Sequence, residues 1–362
     1  MIKGKNIIIV SNEPWGDIWY SKHHYAYELN KTNQVLFIDP PRKWSFWNLF
    51  KQGISKRNIY SNLTVISYAN FLPRFFLKWN NKIVSKRIRK WNDKIGFKTD
   101  LFWTFDPYRL YDPKILGADK TIFHGVDKYL FIHPAEELLY NNVDAFVFVA
   151  EEFVNDYLKY EKPYLVVPHG ISEEKSLDKT NHSLLIPYEN YFLYMGMIDG
   201  RLDYPWIVKL VEKFDQEIFV FLGDIKKVEH PDFQSLFIEK KYLNVIHLPA
   251  VHALKLKFYL EKAKACLAPM WDGWDGNMIS HHKVLQYLSH GKPVFSPVFS
   301  AYQSFSELLY MEKNSERLLH EIDVFLKEGE SEFLSERRIQ FTKNLSYQTH
   351  VNNILNFIYP AK

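Results

Sequence analysis

The stretch Asn277-Met278-Ile279-Ser280-His281-His282-Lys283-Val284-Leu285-Gln286-Tyr287-Leu288-Ser289-His290-Gly291-Lys292-Pro293-Val294 follows the short apolar run Ala265-Cys266-Leu267-Ala268-Pro269. The two together read as strand, loop, helix and strand. Ser280 is placed to cap the helix, Gly291 to end it, and the strand resumes at Pro293 to Phe295. Lys283 falls in the first turn, with Gln286 and Tyr287 three and four positions on along the same face. A helix N-terminus that carries a lysine attracts anions, and a glutamine can bond a ribose or a base edge. A surface lysine on a packed helix produces the same local pattern, so the decision rests on what surrounds it.

Outward from this unit the pattern repeats. Apolar, β-rich runs occur at Asn6 to Val10, Gln34 to Ile38, Leu63 to Ser67, Leu101 to Phe105, Thr121 to His124, Ala145 to Val149 and Tyr164 to Val167. After a polar stretch they begin again at Tyr191 to Met195, Glu217 to Leu222, Asn244 to Leu248, Ala265 to Ala268 and Pro293 to Phe295. Short apolar strands without alternation indicate parallel sheets covered on both faces. Two such series in 362 residues give an α/β chain of two doubly wound, Rossmann-like domains, with ligands expected in a cleft between them. The expected bounds are 1–170 for the first domain, 171–187 for a linker and 188–344 for the second. A C-terminal helix within 345–362 is expected to pack back on the first domain.

Several chemistries are unsupported. The chain has no G-x-G-x-x-G, no G-x-x-x-x-G-K-[ST], no G-x-S-x-G and no D-x-D. The adjacent His281 and His282 cannot both face one ion from a helix, so no metal or other cofactor is expected. The lone Cys266 excludes a disulfide framework and fits a reducing compartment. The apolar run at the N-terminus is too short for a signal peptide, and no stretch approaches the ~20 apolar residues that span a bilayer. These features point to a cytoplasmic protein. Charge is uneven: fourteen Lys or Arg lie between Arg42 and Lys98 against the single acid Asp93. Such a block attracts an anionic lipid surface, polyphosphate or nucleic acid. Nucleic acid is set aside, because no recognised binding module accompanies the block.

The Lys283 stretch resembles the donor-site helix of GT-B glycosyltransferases, K-x-x-[EQ]-Y-x-x-x-G-K-P-[VI] after a strand ending near Ala-Pro. Tyr194-Met195-Gly196-Met197-Ile198-Asp199-Gly200-Arg201-Leu202-Asp203 is similar to the opening of that family's second domain. Phe123 to Tyr129, Glu136-Glu137, Val143 to Val147 and Val167-Pro168-His169-Gly170-Ile171 resemble runs of its first. The paired glutamates of the large retaining families are absent, since Gln286 stands at the second position and Met278 at the first. Lys283 with Gln286 is instead similar to the xanthan-type glucuronosyltransferases and related enzymes of bacterial polysaccharide assembly, which invert.

The resemblance implies a metal-independent hexosyltransferase with a nucleotide sugar, a UDP-sugar, as donor. Lys283, Gln286, Arg201, Ser280, His281, Gly196, Met197, Tyr287 and Asn277 are its expected donor-binding residues. Asp127, following the strand at 121–124, is the expected base on the acceptor hydroxyl, with His124 as an alternative base or sugar partner. Trp15, Gly16 and His23, after the first strand, are expected to face the acceptor. Phe76, Trp79, Ile83, Ile88, Trp91 and Ile95 fall at helical spacing, with Lys78, Lys82 and Lys86 at other positions of the same helix. A basic amphipathic helix with tryptophan suits an anionic membrane surface. The acceptor is therefore expected to be a lipid-linked glycan at the inner face of the cell membrane. A nucleotide-sugar epimerase of the same architecture and a non-catalytic binding partner are the alternatives.

Overall fold

The computed structural model describes residues 2–42, 54–70, 72, 76–126, 134–172, 187–271 and 282–360. The chain divides into two compact units, Met1–Pro168 with Tyr347–Lys362, and His169–Ser346.

Unit 1 contains β1 (Asn6–Val10), α1 (Ser21–Asn30), β2 (Gln34–Ile38), β3 (Ser55–Tyr60), β4 (Leu63–Ser67), α2 (Leu77–Lys94), β5 (Leu101–Thr104), β6 (Lys120–Gly125), α3 (Pro134–Asn142), β7 (Ala145–Phe148) and β8 (Tyr164–Val166). Its sheet runs β3-β4-β2-β1-β5-β6-β7-β8 and is parallel except for the β3–β4 pair. The sequence reading omits β3. Its run Ser-Lys-Arg-Asn-Ile-Tyr is largely exposed and polar, because an edge strand has only one neighbour and resists further pairing with charge. The inner strands are closed to water, as at Ile7 to Val10 and Leu101 to Trp103.

Unit 2 contains β9 (Tyr191–Met195), α4 (Tyr204–Lys213), β10 (Phe219–Leu222), the single turn α5 (Pro231–Phe233), β11 (Val245–Leu248), α6 (Leu256–Lys262), β12 (Ala263–Leu267), α7 (His282–Ser289), β13 (Val294–Ser296), β14 (Tyr310–Met311), α8 (Ser315–Glu328) and α9 (Glu332–Thr342). The sheet order is β11-β10-β9-β12-β13-β14, parallel throughout. Its core is rich in aromatics, with Phe192 stacked on Phe219 and Phe295 on Tyr310. Cys266 is a free thiol inside this core, and burial pushes its pKa up.

The chain then returns to unit 1 as α10 (Tyr347–Ile358), which packs on α1, with the Tyr347 hydroxyl donating to Ser21 Oγ at 3.3 Å. At the two crossovers Ile171 N donates to Leu345 O at 2.8 Å. Fully apolar strands with helices between them thus fold as two doubly wound sheets.

In each sheet the chain order reverses once, between β1 and β5 in unit 1 and between β9 and β12 in unit 2. Loops leaving two neighbouring strands in opposite directions open a crevice at their carboxyl ends, where open α/β sheets take ligands.

Candidate anion site at the β9–β12 reversal

Lys283 stands at this reversal in unit 2, near the start of α7, the first helix described after β12. Its Nζ donates to the Tyr194 hydroxyl at 3.1 Å and sits 4.5 Å from the centre of the Tyr194 ring. Tyr194 is the fourth residue of β9 and is wholly buried. The chain leaves β9 through Gly196, at φ 138°, where a Cβ would come within 2.9 Å of Lys283 Nζ. The glycine therefore makes room for the ammonium. Gly223, at φ 158°, ends the neighbouring strand, and a Cβ there would strike Gly196 O at 2.0 Å.

The loop from Gly196 to Asp203 is held by hydroxyls. Tyr194 donates to Met197 O at 2.8 Å, and Tyr204 donates to Asp199 O at 2.6 Å. The Met195 amide donates to the Tyr287 hydroxyl at 2.8 Å. Arg201 lies in this loop with its Nε on Asp199 Oδ1 at 2.8 Å, and Asp203 caps α4 by accepting from Trp206 N at 3.0 Å. Trp271 N donates to Arg201 O at 3.2 Å, which joins the segment after β12 to the one after β9.

The electrostatics follow from this geometry. Lys283 is pushed down to about 7, first by burial and then by the Arg201 charge, with Asp199 offsetting part of the fall. Burial by itself would raise Asp199, but its two hydrogen bonds from Arg201 and the nearby cations bring it below the usual carboxylate range. Asp199 thus answers Arg201 and leaves Lys283 a cation with one hydrogen-bond acceptor among the described residues, the Tyr194 hydroxyl. A part-buried ammonium so placed gains from any anion that reaches it.

The sequence-expected donor residues separate here. Lys283, Arg201, Gly196 and Met197 come together, Met197 through its carbonyl. Gln286 lies one turn beyond Lys283 at 4% exposure, and its Nε2 has no hydrogen-bond partner among the described residues. Tyr287 requires correction as a donor contact: its ring is wholly in the core and its hydroxyl is taken by the Met195 amide, so it fastens α7 to β9. Asn277, Ser280 and His281 lie outside the described residues, as does Asp127. Tyr194, quoted in the motif but not among the expected site residues, carries no separate signal in the sequence because a tyrosine in an apolar strand reads as core.

In unit 1 the structure places four of the expected residues. His124 is wholly buried, accepts from Trp103 Nε1 at 3.3 Å and stacks on Phe105 at 4.8 Å, so its ring is part of the core. His23 is equally buried. Its Nδ1 accepts from Tyr20 N at 3.0 Å, its Nε2 donates to Pro14 O at 3.1 Å, and burial lowers it to about 4, leaving a neutral ring that organises the loop before α1. Trp15 packs edge-on against Phe37 at 5.0 Å beneath the surface. Gly16 receives the Trp19 indole N–H on its carbonyl at 3.0 Å. Trp15 and Trp19 of the segment after β1 are thus buried, whereas Gly16 and Tyr20 face water.

Helix α2 differs from its sequence reading as well. Its inner face is mostly polar, with Asn80, Asn81, Ser85 and Asn92 beside Val84 and Ile88. The cause is loop anchoring: Asn80 bonds both the amide and the carbonyl of Leu72, and Asn81 accepts from Tyr111 N. Trp79 is 66% exposed, with Phe76 and Ile95 exposed at the two ends, and Lys78, Lys82, Lys86 and Lys90 also face water. Among the described residues no group of three His, Cys, Asp or Glu could hold a metal, and no helix is long and apolar enough to cross a membrane.

No family model matches the chain, and no curated protein matches it in sequence. Solved structures do. A sucrose-phosphate synthase from Thermosynechococcus elongatus superposes with a TM-score of 0.68 at 13% identity, covering 98% of both chains. A glycosyltransferase from Rickettsia africae gives 0.66 at 14% identity over 100% of both. A UDP-forming α,α-trehalose-phosphate synthase from Burkholderia xenovorans, in complex with glucose-6-phosphate, gives 0.66 at 10% identity over 98% of this chain and 100% of its own. At such identities the likeness establishes the fold, which is GT-B.

Proposed function

We propose that this chain is a glycosyltransferase that binds a UDP-sugar, its diphosphate on Lys283 and Arg201 of unit 2, and passes the sugar to a lipid-linked glycan of cell-surface polysaccharide assembly. The observation that carries the reading is the Lys283 ammonium, part-buried at the β9–β12 reversal, whose hydrogen-bond acceptor among the described residues is a hydroxyl. A departing nucleoside diphosphate gathers negative charge in the transition state, and a prepositioned cation stabilises it without a metal. The fold shared with UDP-forming synthases supports the donor class.

The finer parts rest on sequence and surface. The xanthan-like pairing of Lys283 with Gln286 favours inversion, with Asp127 as the base. The exposed Trp79 among Lys78, Lys82 and Lys86 suits the anionic inner face of the cell membrane. A neighbouring structure holds glucose-6-phosphate, which makes that sugar phosphate the acceptor to test against the lipid-linked glycan.

The experiment pairs donor binding with transfer. Calorimetry with UDP, with and without EDTA, should give the same affinity, and Lys283→Met should weaken it strongly. Transfer from UDP-sugars to lipid-linked oligosaccharide and to glucose-6-phosphate is then compared for wild type and Asp127→Asn. The asparagine variant should bind UDP normally and lose about two to four orders of magnitude in transfer, the contribution of a general base. Wild-type UDP affinity in Lys283→Met would end the donor-site reading, and transfer only to the sugar phosphate would end the lipid-linked one.

A further inference from the structure

Lysine side chains at ligand sites usually pair with a carboxylate. Part-buried Lys283 makes no carboxylate hydrogen bond among the described residues, and its described contacts are the ring and hydroxyl of Tyr194. The hydroxyl is part of a directed chain in which Lys283 Nζ donates to Tyr194 Oη, and Tyr194 Oη–H donates to Met197 O. Burial raises the Tyr194 hydroxyl far above its usual range, so it remains a neutral group that donates and accepts at once. Two other tyrosines clamp the ends of the same loop, Tyr287 at Met195 and Tyr204 at Asp199, and neither makes a described contact with the ammonium.

We infer that Tyr194 is a positioning residue for the anion site: its hydroxyl and ring hold the Lys283 ammonium over Gly196 without neutralising it, so that the charge is kept for an arriving diphosphate. This rests on the donor-site reading above. A carboxylate in the same place would hold Lys283 as firmly but would compete with the ligand, as Asp199 does for Arg201. A phenol accepts one N–H and leaves the net charge intact. The aromatic face adds a cation–π contact that brings no formal negative charge. Among the described residues the groups that act on Lys283 are Tyr194 of β9 and Asp199 and Arg201 of the following loop; the adjacent His282 on its own helix is kept neutral by burial, which lowers it to about 4. Of these only Tyr194 stabilises the cation without opposing or cancelling its charge.

The consequence is a proton linkage. Near neutral pH the empty site holds Lys283 partly deprotonated, and the diphosphate draws the proton back, so UDP affinity should fall as pH rises past about 7. Tyr194→Phe keeps the ring and removes the acceptor. Loss of a hydrogen bond to a charged group predicts roughly tenfold weaker UDP binding at pH 7, with the falling limb of the pH profile displaced to lower pH. Tyr204→Phe removes a clamp that does not touch Lys283, and should lower the melting midpoint with the pH profile unmoved.

The test is UDP calorimetry on the full chain from pH 6 to pH 9 for the wild type, Tyr194→Phe, Tyr204→Phe, Lys283→Met and the Tyr194→Phe/Lys283→Met double variant. If Tyr194 acts through Lys283, its substitution should cost almost nothing further in the Lys283→Met background. A Tyr194→Phe protein with wild-type affinity and profile, beside a weak Lys283→Met, overturns the inference and leaves the anion site standing. Wild-type binding by Lys283→Met removes the site and the inference together. Should Tyr194→Phe fail to fold, Lys283→Arg serves instead: a guanidinium that does not titrate should flatten the profile between pH 7 and pH 9, and a persistent wild-type slope overturns the inference.

Discussion

The two sheets reverse their strand order in the same way, and both reversals are lined with charge, but they treat that charge oppositely. At the unit 1 reversal three cations each have a carboxylate. Lys22, buried at the start of α1, is paired with Glu13; Arg109 is paired with Asp106 at 2.7 Å; and Arg57 reaches Asp39 at 3.2 Å. Arg109 also donates to the carbonyls of Ser11, Ile38 and Asp39 and to the Tyr68 hydroxyl, binding the loops after β1, β2, β4 and β5 into one rim. At the unit 2 reversal Asp199 serves Arg201, and among the described residues Lys283 donates only to a phenol. Charges saturated by protein partners act as architecture, whereas a cation held without neutralisation is poised for a ligand.

The comparison breaks most visibly at Arg109. Arg109→Met leaves buried Asp106 without its cation and takes a donor from four other acceptors, and should cost about 3–5 kcal/mol of unfolding free energy, as for a buried pair that loses one member. A cost under ~1 kcal/mol in denaturant titration would show that the rim is not what the pairing holds together. Lys283→Met is the counterpart. It should leave the fold intact at neutral pH, because a desolvated cation is exchanged for an apolar chain of similar length. Its cost should fall on UDP affinity, weakened on the order of a hundredfold as charge-assisted hydrogen bonds are lost. Equal damage to folding by the two variants would erase the distinction.

Proton linkage sharpens the contrast further. The folded chain holds Lys283 near 7 while the unfolded chain keeps the ordinary 10.5, so between those values the unfolded state binds more protons and stability rises with pH. UDP binding has the opposite sign and weakens over the same window. Both slopes should vanish in Lys283→Met, which unfolding and binding measured at pH 6.5, 7.5 and 8.5 would reveal. The smallest effect belongs to the surface of unit 1. Lys82→Ala should weaken association with phosphatidylserine vesicles about fivefold, following ~1 kcal/mol per basic residue near anionic lipid, and leave UDP affinity unchanged. No change in vesicle binding would detach α2 from the membrane.

Much of the fold was legible in the residues, and the site only in part. Strands such as Ile7 to Val10 and Phe219 to Leu222 show as apolar runs because both of their faces are covered. Edge strand β3 and the two-residue β14 do not, since one is polar on exposed positions and the other is too short for any period. Lys283 and Arg201 stood out by motif, and local spacing put Gln286 and Tyr287 on the same helical face. Spacing cannot tell which of them reaches the rim. The structure sends Tyr287 into the core and brings Tyr194, from a strand far back in sequence, beneath the lysine. The histidines misled for a related reason: His23 and His124 have the composition of active-site groups and the burial of core side chains.

What the sequence determined alone was periodicity and inventory: two series of parallel strands, a helix opening near a lysine, a basic segment, a single thiol. These are local, because burial on both faces of a strand and the need of a helix for a cap and a stop are written within a few residues. Which charges are answered was decided only in three dimensions. Asp199 could have served Lys283 or Arg201, and Glu13 could have stayed in solvent; the choice depends on close approach between strands and helices remote along the chain. At that range packing sets the dielectric and the partner together, and with them whether a lysine is a strut or a binding site.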